Sequence, residues 1–241
     1  MAGESLAQLR KQPHWSYSSI NTFLNICSLQ WAFRYVYRHE SRFTSAALVF
    51  GGAFHRALEY VSRLGMDGQE VSPQTAATLF GDLLAQLARA AELEVIYPEG
   101  QTIDTLTQTG SRMIETYLAT AADGGRIVSV SEAFRVDMMG SDGETLGKPL
   151  VGEIDCIVER DGRTVLVDWK TAARRWPKGK EHLDLQPTCY LYAFGRNNPS
   201  SDAHFRFDIA TKTKTPTVER RLTTRRHDHF TRLIEQVRVM E

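Results

Sequence analysis

A pair of aspartates with a lysine beside them is the feature of this sequence most able to carry chemistry. A two-residue hairpin turn is strongly indicated at residues 161–162, Asp-Gly, between two strand-like segments. Counting outward from that turn places Asp155 opposite Asp168 and Glu153 opposite Lys170. Because cross-strand partners and alternate residues share a face, we expect all four side chains on one side of a sheet, unless a bulge shifts the register.

Two opposed carboxylates repel each other, so folding alone gives no reason to place them together. A divalent cation removes the conflict, because Mg²⁺ binds carboxylate oxygens together with waters and a substrate phosphate. Lys170, next to Asp155 and Asp168, would then contact a scissile phosphate or hold an attacking water. The alternative is a surface hairpin with a Glu153–Lys170 ion pair and solvated aspartates, and the hairpin alone leaves both interpretations open.

The order of the predicted elements indicates an α/β fold, with a mixed central sheet, flanking helices and a helical N-terminal lobe. A composition shift at residues 123–125 separates that lobe, residues 15–122, from a sheet core, residues 123–241, within a single domain of residues 1–241. Helices are predicted at residues 15–39, 53–64, 104–121, 185–194 and 230–240, with another starting at Pro73. Strands are predicted at residues 127–138, 150–158, 163–169, 205–209 and 217–222.

Three finer predictions concern the helical half. Ser18 or Ser19 is expected to cap the first helix, and the pair Gly51-Gly52 is expected to separate two helices. Arginines four residues apart are expected along one side of the first helix, where contact with phosphate and simple solvation are equally open. These arginines are Arg34, Arg38 and Arg42.

The composition is that of an ordinary globular protein. Of 241 residues, 42% are hydrophobic and 24% are charged, which is enough for one sizeable core. The formal net charge is zero, so contact with nucleic acid needs a local patch. Residues 206–238 hold a local excess of basic side chains, for which contact with a nucleic-acid backbone and simple solvation are equally open interpretations.

No apolar run reaches the roughly 18–20 residues of a membrane helix, and residues 1–13 lack a signal-peptide core. We therefore expect a cytoplasmic protein with no membrane partner.

The sequence has three cysteines, Cys27, Cys156 and Cys189. Their number is odd and no Cys-x-x-Cys pair exists, so neither a disulfide framework nor a zinc site is expected. Each cysteine is expected to be a small buried apolar residue.

The segments around the two aspartates resemble the core of the PD-(D/E)XK nucleases. Within that superfamily they are similar to the RecB-type branch, which includes CRISPR-associated and phage exonucleases. The resemblance covers residues 15–238 in the family's order. It rests on Gly152-Glu153-Ile154-Asp155, Val165-Leu166-Val167-Asp168-Trp169-Lys170, Gly51-x-x-x-His55-x-x-Leu58, Gln186-x-x-x-Tyr190, and Ser16-x-Ser18 with Phe23, Cys27, Trp31 and Tyr35.

The resemblance implies a restriction-endonuclease-like core and a deoxyribonuclease that depends on Mg or Mn, most similar to exonucleases. DNA is the implied partner, together with recombination or CRISPR adaptation proteins. The implied metal ligands are His55, Asp155, Asp168 and the Trp169 carbonyl. The implied catalytic residues are Asp155, Asp168, Lys170, Gln186 and Tyr190. A non-catalytic DNA-binding or adaptor module on the same fold is the alternative; a lost ligand or lysine would mark it, and none is lost here.

Two departures from the family bear on cofactors. Many relatives have proline after the residue that matches Cys27, whereas Ser28 follows here. In some relatives that cysteine joins three others near the C-terminus to hold an iron–sulfur cluster, but no cysteine follows Cys189 here. An iron–sulfur cluster is therefore not supported by the cysteines of this sequence. The sequence ends inside a predicted helix, so a longer natural chain could carry further ligands.

Overall fold

A five-stranded mixed sheet forms the centre of the structure, a computed structural model that describes residues 4–120 and 125–241. Strands β3 to β7 follow one another across this sheet, antiparallel except for the parallel β5–β6 pair. A separate parallel pair, β1–β2, is not indicated by the sequence pattern. The strands are β1 (Thr44–Ser45), β2 (Val95–Ile96), β3 (Arg126–Val136), β4 (Leu150–Arg160), β5 (Arg163–Ala172), β6 (Ala203–Thr211) and β7 (Val218–Thr223).

Helices cover both faces of the sheet. The α-helices of the described residues are α1 (Leu6–Leu9), α2 (Tyr17–Asn21), α3 (Ser28–Trp31), α4 (Ala46–Met66), α5 (Pro73–Arg89), α6 (Ile103–Ala119), α7 (Lys180–Leu183), α8 (Gln186–Asn197) and α9 (His227–Arg238). Helices α4, α5 and α6 share one buried apolar core with the sheet, and α8 and α9 share another on the opposite face. The predicted fold class is thereby confirmed as a mixed α/β, restriction-endonuclease-like architecture.

The β4–β5 hairpin has the turn that the sequence predicts. Asp161 and Gly162 both take positive φ, 51° and 72°, as the two central residues of a type I′ turn require. Arg160 pairs with Arg163, and the ladder runs from there to the Cys156–Val167 pair. The second predicted hairpin also forms, between β6 and β7.

Helix α4 runs through Gly51 and Gly52, so the predicted break between two helices is wrong. Each glycine in a helix interior costs about 1 kcal/mol relative to alanine. That cost is offset by the face that the continuous helix buries, where Phe50 and Phe54 are fully inaccessible. Ser45 begins the helix, and its side chain accepts the Leu48 N–H.

The first predicted helix is a series of short pieces. Two π-helical segments, Thr22–Ile26 and Ala32–Val36, alternate with α2 and α3. Ser16, not Ser18 or Ser19, caps α2. Arg38 has a φ of 52° after the last helical turn, so the three arginines are not aligned along one helix.

The remaining outcomes concern cysteines and boundaries. Cys156 and Cys189 are buried as predicted, but Cys27 is exposed, because it caps α3 by accepting the Gln30 N–H. Helix α9 ends at Arg238, before the end of the sequence. The predicted lobe boundary at residues 122–123 lies outside the described residues. Within the described ranges, no helix has the length and apolar character needed to cross a membrane.

Candidate active site

The end of β5 places Asp168 and Lys170 on the face of the sheet that α8 covers. Asp168 is buried, with 3% of its surface exposed. The Lys170 Nζ lies 2.7 Å from its Oδ2, while 30% of the lysine side chain remains exposed. Strand alternation turns Trp169, between them, into the core below α4. The two groups that the sequence singles out on β5 are therefore an ion pair at the rim of the core.

Asp155 lies at a break in the β4–β5 ladder. The ladder ends at Cys156–Val167, so the predicted backbone pairs of Asp155 with Asp168 and of Glu153 with Lys170 do not form. Instead, the Asp155 Oδ2 accepts the main-chain N–H of Trp169 at 2.8 Å. A side-chain oxygen thus replaces a ladder acceptor, which fixes the Asp155 carboxylate beside β5.

The break in β4 coincides with a distortion in β3. Ile154 is buried in the core below α8 and Cys156 in the core below α4, although alternate residues normally share a face. Asp155 lies between them, and Ser131, between their partners in β3, has a φ of 54°. This local twist carries Asp155 to the point where the strand changes faces.

Glu153 forms no ion pair with Lys170 among the described residues; the ammonium of Lys170 contacts Asp168 instead. Glu153 pairs with Ala133 of β3. Burial, followed by the charges of Asp155 and Glu59, raises the pKa of its carboxyl group. Glu153 therefore lies close enough to Asp155 and Glu59 for their negative charges to act on it.

Helix α4 brings His55 to Asp155. The His55 Nδ1 lies 3.3 Å from the Asp155 Oδ2, and the imidazole meets the Trp169 ring edge-to-face at a centroid distance of 6.0 Å. Burial lowers the pKa of His55, but the carboxylates of Asp155 and Asp168 together outweigh that effect and the net shift is upward. Glu59, one turn later, is bound to Arg63 at 2.9 Å, so Asp155 is the carboxylate that contacts His55.

Helix α8 contributes a buried amide to the same carboxylate. The Gln186 Nε2 donates to the Asp168 Oδ1. The Gln186 main-chain N–H donates to the Asp184 Oδ1 at 2.9 Å, and the Tyr17 hydroxyl donates to the same oxygen at 3.2 Å. Asp184 and Tyr17 were missed by the sequence reasoning, although an aspartate two residues before a glutamine–proline pair is a signal for a helix start.

Tyr190, one turn after Gln186, lies near the carboxylates of Asp168 and Asp155. Burial, followed by the charges of Asp168 and Asp155, raises the pKa of Tyr190 well above its usual value. Its ring packs edge-to-face on Phe134 at 5.4 Å. Gly152 permits that contact, because a Cβ there would lie 2.5 Å from the Phe134 ring. A glycine of the predicted motif thus shapes the wall of the site.

Burial dominates the electrostatics of the Asp168–Lys170 pair. Burial raises the pKa of Asp168 to about 6, partly opposed by Lys170 and reinforced by Asp155. Burial lowers the pKa of Lys170, but the nearby carboxylates, Asp168 first, together outweigh that effect and the net shift is upward. Lys170 is therefore a stable cation, and it stands beside a carboxyl group that binds protons more readily than an exposed aspartate.

A buried hydrogen-bond chain supports Trp169 from the other face of the sheet. The Trp169 Nε1 donates to the Tyr117 hydroxyl at 2.9 Å, which donates to the Asp208 Oδ2 at 2.8 Å. Arg206 holds the same carboxylate through distances of 2.7 and 3.1 Å. The sequence reasoning missed Tyr117 and Asp208, because neither lies in a motif. Together they hold in place the indole of Trp169, the residue that separates Asp168 from Lys170 in the sequence.

The donor atoms at this site fit a divalent cation. Among residues 4–120 and 125–241, no three His, Cys, Asp or Glu side chains converge as a complete ligand set. However, the buried Gln186 Oε1 accepts no hydrogen bond from the described residues, and the Asp168 Oδ2 has the Lys170 ammonium as its contact. An imidazole and two carboxylates suit Mg²⁺ or Mn²⁺. His55, Asp155 and Asp168 are the residues in this group that would hold such an ion.

The basic residues of the C-terminal segment are mostly engaged within the protein. Arg206 and Arg220 face the buried Asp208, and Arg225 donates to Thr188 and to main-chain carbonyls. Arg221, Arg226 and Arg238 pair with Glu219, Asp228 and Asp142, respectively. This segment therefore offers fewer available cations than its sequence suggests.

Comparisons with known proteins agree with this fold. A candidate exonuclease from Eubacterium rectale is similar over 99% of this chain and 83% of its own, with 15% sequence identity and a TM-score of 0.58. The structure of SSO0001 aligns over 84% of this chain and 78% of its own, with 11% identity and a TM-score of 0.34, which is too low for any inference. No curated protein matches the sequence. A family model described as the PD-(D/E)XK nuclease superfamily matches residues 14–240, which include every residue of the site. The predicted superfamily is thereby confirmed, and the chain belongs to the PD-(D/E)XK nucleases.

Proposed function

We propose that this nuclease is a metal-dependent deoxyribonuclease that hydrolyses the phosphodiester bonds of DNA. The observation that carries the proposal is the environment of Asp168, a buried carboxylate in contact with Lys170 and Gln186. Removing an ion pair from water costs several kcal/mol per ion. This pair is kept in spite of that cost, it lies at the end of a strand, and the pKa of its aspartate is shifted. These features favour a functional role for the pair over a structural one.

In this proposal, His55, Asp155, Asp168 and the Trp169 carbonyl would hold Mg²⁺ or Mn²⁺, and the bound ion would supply polarisation of the phosphate and acidification of a water. Lys170 stabilises the negative charge that develops on the attacked phosphate. Its position beside Asp168 and its raised pKa support that role, because they keep it charged. Gln186 fixes the orientation of the Asp168 carboxylate.

The biological setting is proposed from the RecB-type motifs. These motifs favour exonuclease action on DNA ends. They suit a cytoplasmic enzyme of DNA repair, recombination, phage replication or CRISPR adaptation, acting with proteins of those pathways.

The test is degradation of end-labelled linear DNA and of circular DNA with Mg²⁺, Mn²⁺ or a chelator. We expect cleavage of linear DNA that chelator abolishes and Mn²⁺ restores. Asp168→Asn should abolish cleavage, whereas Asp67→Asn, at the exposed end of α4, should leave it unchanged. Full activity in excess chelator would exclude the metal, and rapid loss of circular DNA would exclude a strict exonuclease.

Lys170→Ala separates an enzyme from a DNA-binding module. Loss of one electrostatic contact to the developing charge typically lowers the rate about 10²- to 10³-fold. DNA binding depends on many phosphate contacts, so its affinity should barely change. Lys170→Arg should recover only part of the rate, because a planar guanidinium differs from a compact ammonium. Equal losses of binding and cleavage would make Lys170 an anchoring residue instead.

A further inference from the structure

An exposed segment after α2 carries aromatic rings and arginines that the proposed active site does not use. We call residues 25–43 the aromatic arm. Residues 25–30 and 36–43 are exposed without interruption. A globular protein rarely exposes so many large apolar side chains along one segment unless they bind something. They are Ile26, Leu29, Phe33, Val36, Tyr37 and Phe43, each at least 45% exposed.

Three rings of the aromatic arm form a cluster. The Phe33 centroid lies 6.1 Å from that of Tyr37 and 5.3 Å from that of His39, and the last two are 6.3 Å apart. All three residues are exposed, with Phe33 at 45% and Tyr37 at 66%. The cluster therefore presents aromatic surface to solvent and does not fill a core.

The aromatic arm also carries cations without anionic partners. Arg34, Arg38 and Arg42 are exposed, and none has a carboxylate within ion-pair distance in the described part of the chain. Glu40 is the one acidic residue that the sequence places between positions 25 and 43. The arm differs in this respect from the C-terminal segment, whose arginines are largely paired. Its positive charge is available to phosphates.

The base of the aromatic arm is fixed to the wall of the active site. The Trp31 ring stacks on Trp15 at 6.4 Å, and its Nε1 donates to the Ser19 Oγ at 3.1 Å. Ser19 belongs to α2, whose first residue, Tyr17, donates to Asp184 beside Gln186. The exposed rings are thus one short helical segment away from the residues that hold Asp168.

We propose that the aromatic arm binds a single-stranded segment of DNA next to the active site. Bases stack on the cluster of Phe33, Tyr37 and His39, and the neighbouring arginines contact the phosphates. This inference rests on the proposed function and specifies single-stranded DNA as the form bound at this surface. Stacking on side chains needs unpaired bases, because the bases of a duplex are already stacked on one another. The unpaired arginines favour a polyanion over a protein partner or a second copy of this chain.

The test is fluorescence anisotropy with a labelled oligothymidine of about 20 nucleotides and a duplex of equal length, in chelator at fixed salt. Loss of one base-stacking ring typically weakens binding about tenfold. We expect Phe33→Ala and Tyr37→Ala to weaken binding of the single strand by that factor and of the duplex far less. Tyr60→Ala, which removes a half-exposed ring from α4, is the matched control and should change neither affinity. Arg34→Ala should reduce the slope of log K against log salt by about 0.7.

Two further measurements keep the outcomes distinct. Tyr37→Trp introduces a reporter at the cluster, and oligothymidine should quench its fluorescence. Sedimentation of Tyr37→Ala shows whether the surface instead joins two copies of the chain. Unchanged single-strand affinity in both alanine variants, or conversion of a dimer into a monomer without that loss, would overturn the proposal. If the wild type binds single-stranded DNA through the aromatic arm but cleaves no DNA, the proposed function fails and the proposed role of the arm is kept. If the wild type cleaves DNA normally and the arm variants bind as the wild type does, the proposed function is kept and the role of the arm fails.

Discussion

Tyr117→Phe tests whether the hydrogen-bond chain behind Trp169 supports the end of β5. The substitution removes one oxygen and keeps the ring, so it creates almost no cavity. It leaves the buried Trp169 Nε1 without its acceptor, which costs about 1–3 kcal/mol. It also removes a hydrogen bond to a charged carboxylate, that of Asp208, worth about 1.5–3 kcal/mol. Because Arg206 still holds Asp208, we expect a total loss of roughly 3 kcal/mol.

The assay is urea unfolding of the wild type, of Tyr117→Phe, of Trp169→Phe and of the double variant. The free energy of unfolding follows from the midpoint and the slope of each transition. The Tyr117–Trp169 coupling energy should be about 1 kcal/mol, as for one hydrogen bond. Tyr60→Phe is the matched control, because Tyr60 is half exposed and its hydroxyl contacts no described partner. A surface change of this kind stays within about 0.5 kcal/mol.

The same variant connects stability with catalysis. Burial, followed by Asp208, raises the pKa of Tyr117 well above its usual value, so its hydroxyl remains a donor at neutral and alkaline pH. Without the Tyr117 hydroxyl, the indole of Trp169 is free to shift, and with it the part of β5 that carries Asp168 and Lys170. If Tyr117→Phe were no more destabilising than Tyr60→Phe, and the coupling energy were zero, the hydrogen bonds from Trp169 through Tyr117 to Asp208 would have no supporting role.

Three shorter predictions concern the site itself. Gln186→Glu places a second carboxylate beside Asp168, so we expect a lower melting temperature in chelator and a larger increase on adding Mn²⁺ than in the wild type. Gly152→Ala should destabilise the fold by about 1–3 kcal/mol, because its Cβ would lie 2.5 Å from the Phe134 ring, which packs on Tyr190. The pKa of Asp168, near 6, means that protons compete with metal below that pH. Calorimetric Mn²⁺ affinity should therefore fall steeply as the pH drops below 6, and it should keep rising above 6 until His55, whose pKa is raised, has also lost its proton.

The parts of the fold that short sequence signals specify could be predicted. Asp161-Gly162 determines a turn whose two residues need positive φ, and the turn fixes the register of the strands that leave it. The register fails where a distant element intervenes. The twist at Asp155 depends on Ser131 in a neighbouring strand, and no pattern within residues 150–170 records it.

Two other errors have the same non-local origin. Gly51-Gly52 reads as a break because helix propensity is local, whereas the buried faces of Phe50 and Phe54 decide that α4 continues. Asp208 and Tyr117 are 91 residues apart, so only the folded chain brings them together. Burial and tertiary contact are what the sequence pattern leaves undetermined.

The two partners of Asp168 differ in how easily each can leave it. Gln186 is 3% exposed, and its main-chain N–H is fixed by Asp184, so its amide is confined to the carboxylate. Lys170 keeps 30% of its side chain exposed, and its long stem permits other rotamers. An ammonium and a divalent cation at one carboxylate repel each other, since like charges a few ångströms apart interact strongly at a partly buried site. In the proposed enzyme, Lys170 is therefore the partner that we expect to move towards solvent, where a phosphate of the substrate would replace Asp168 as its anion.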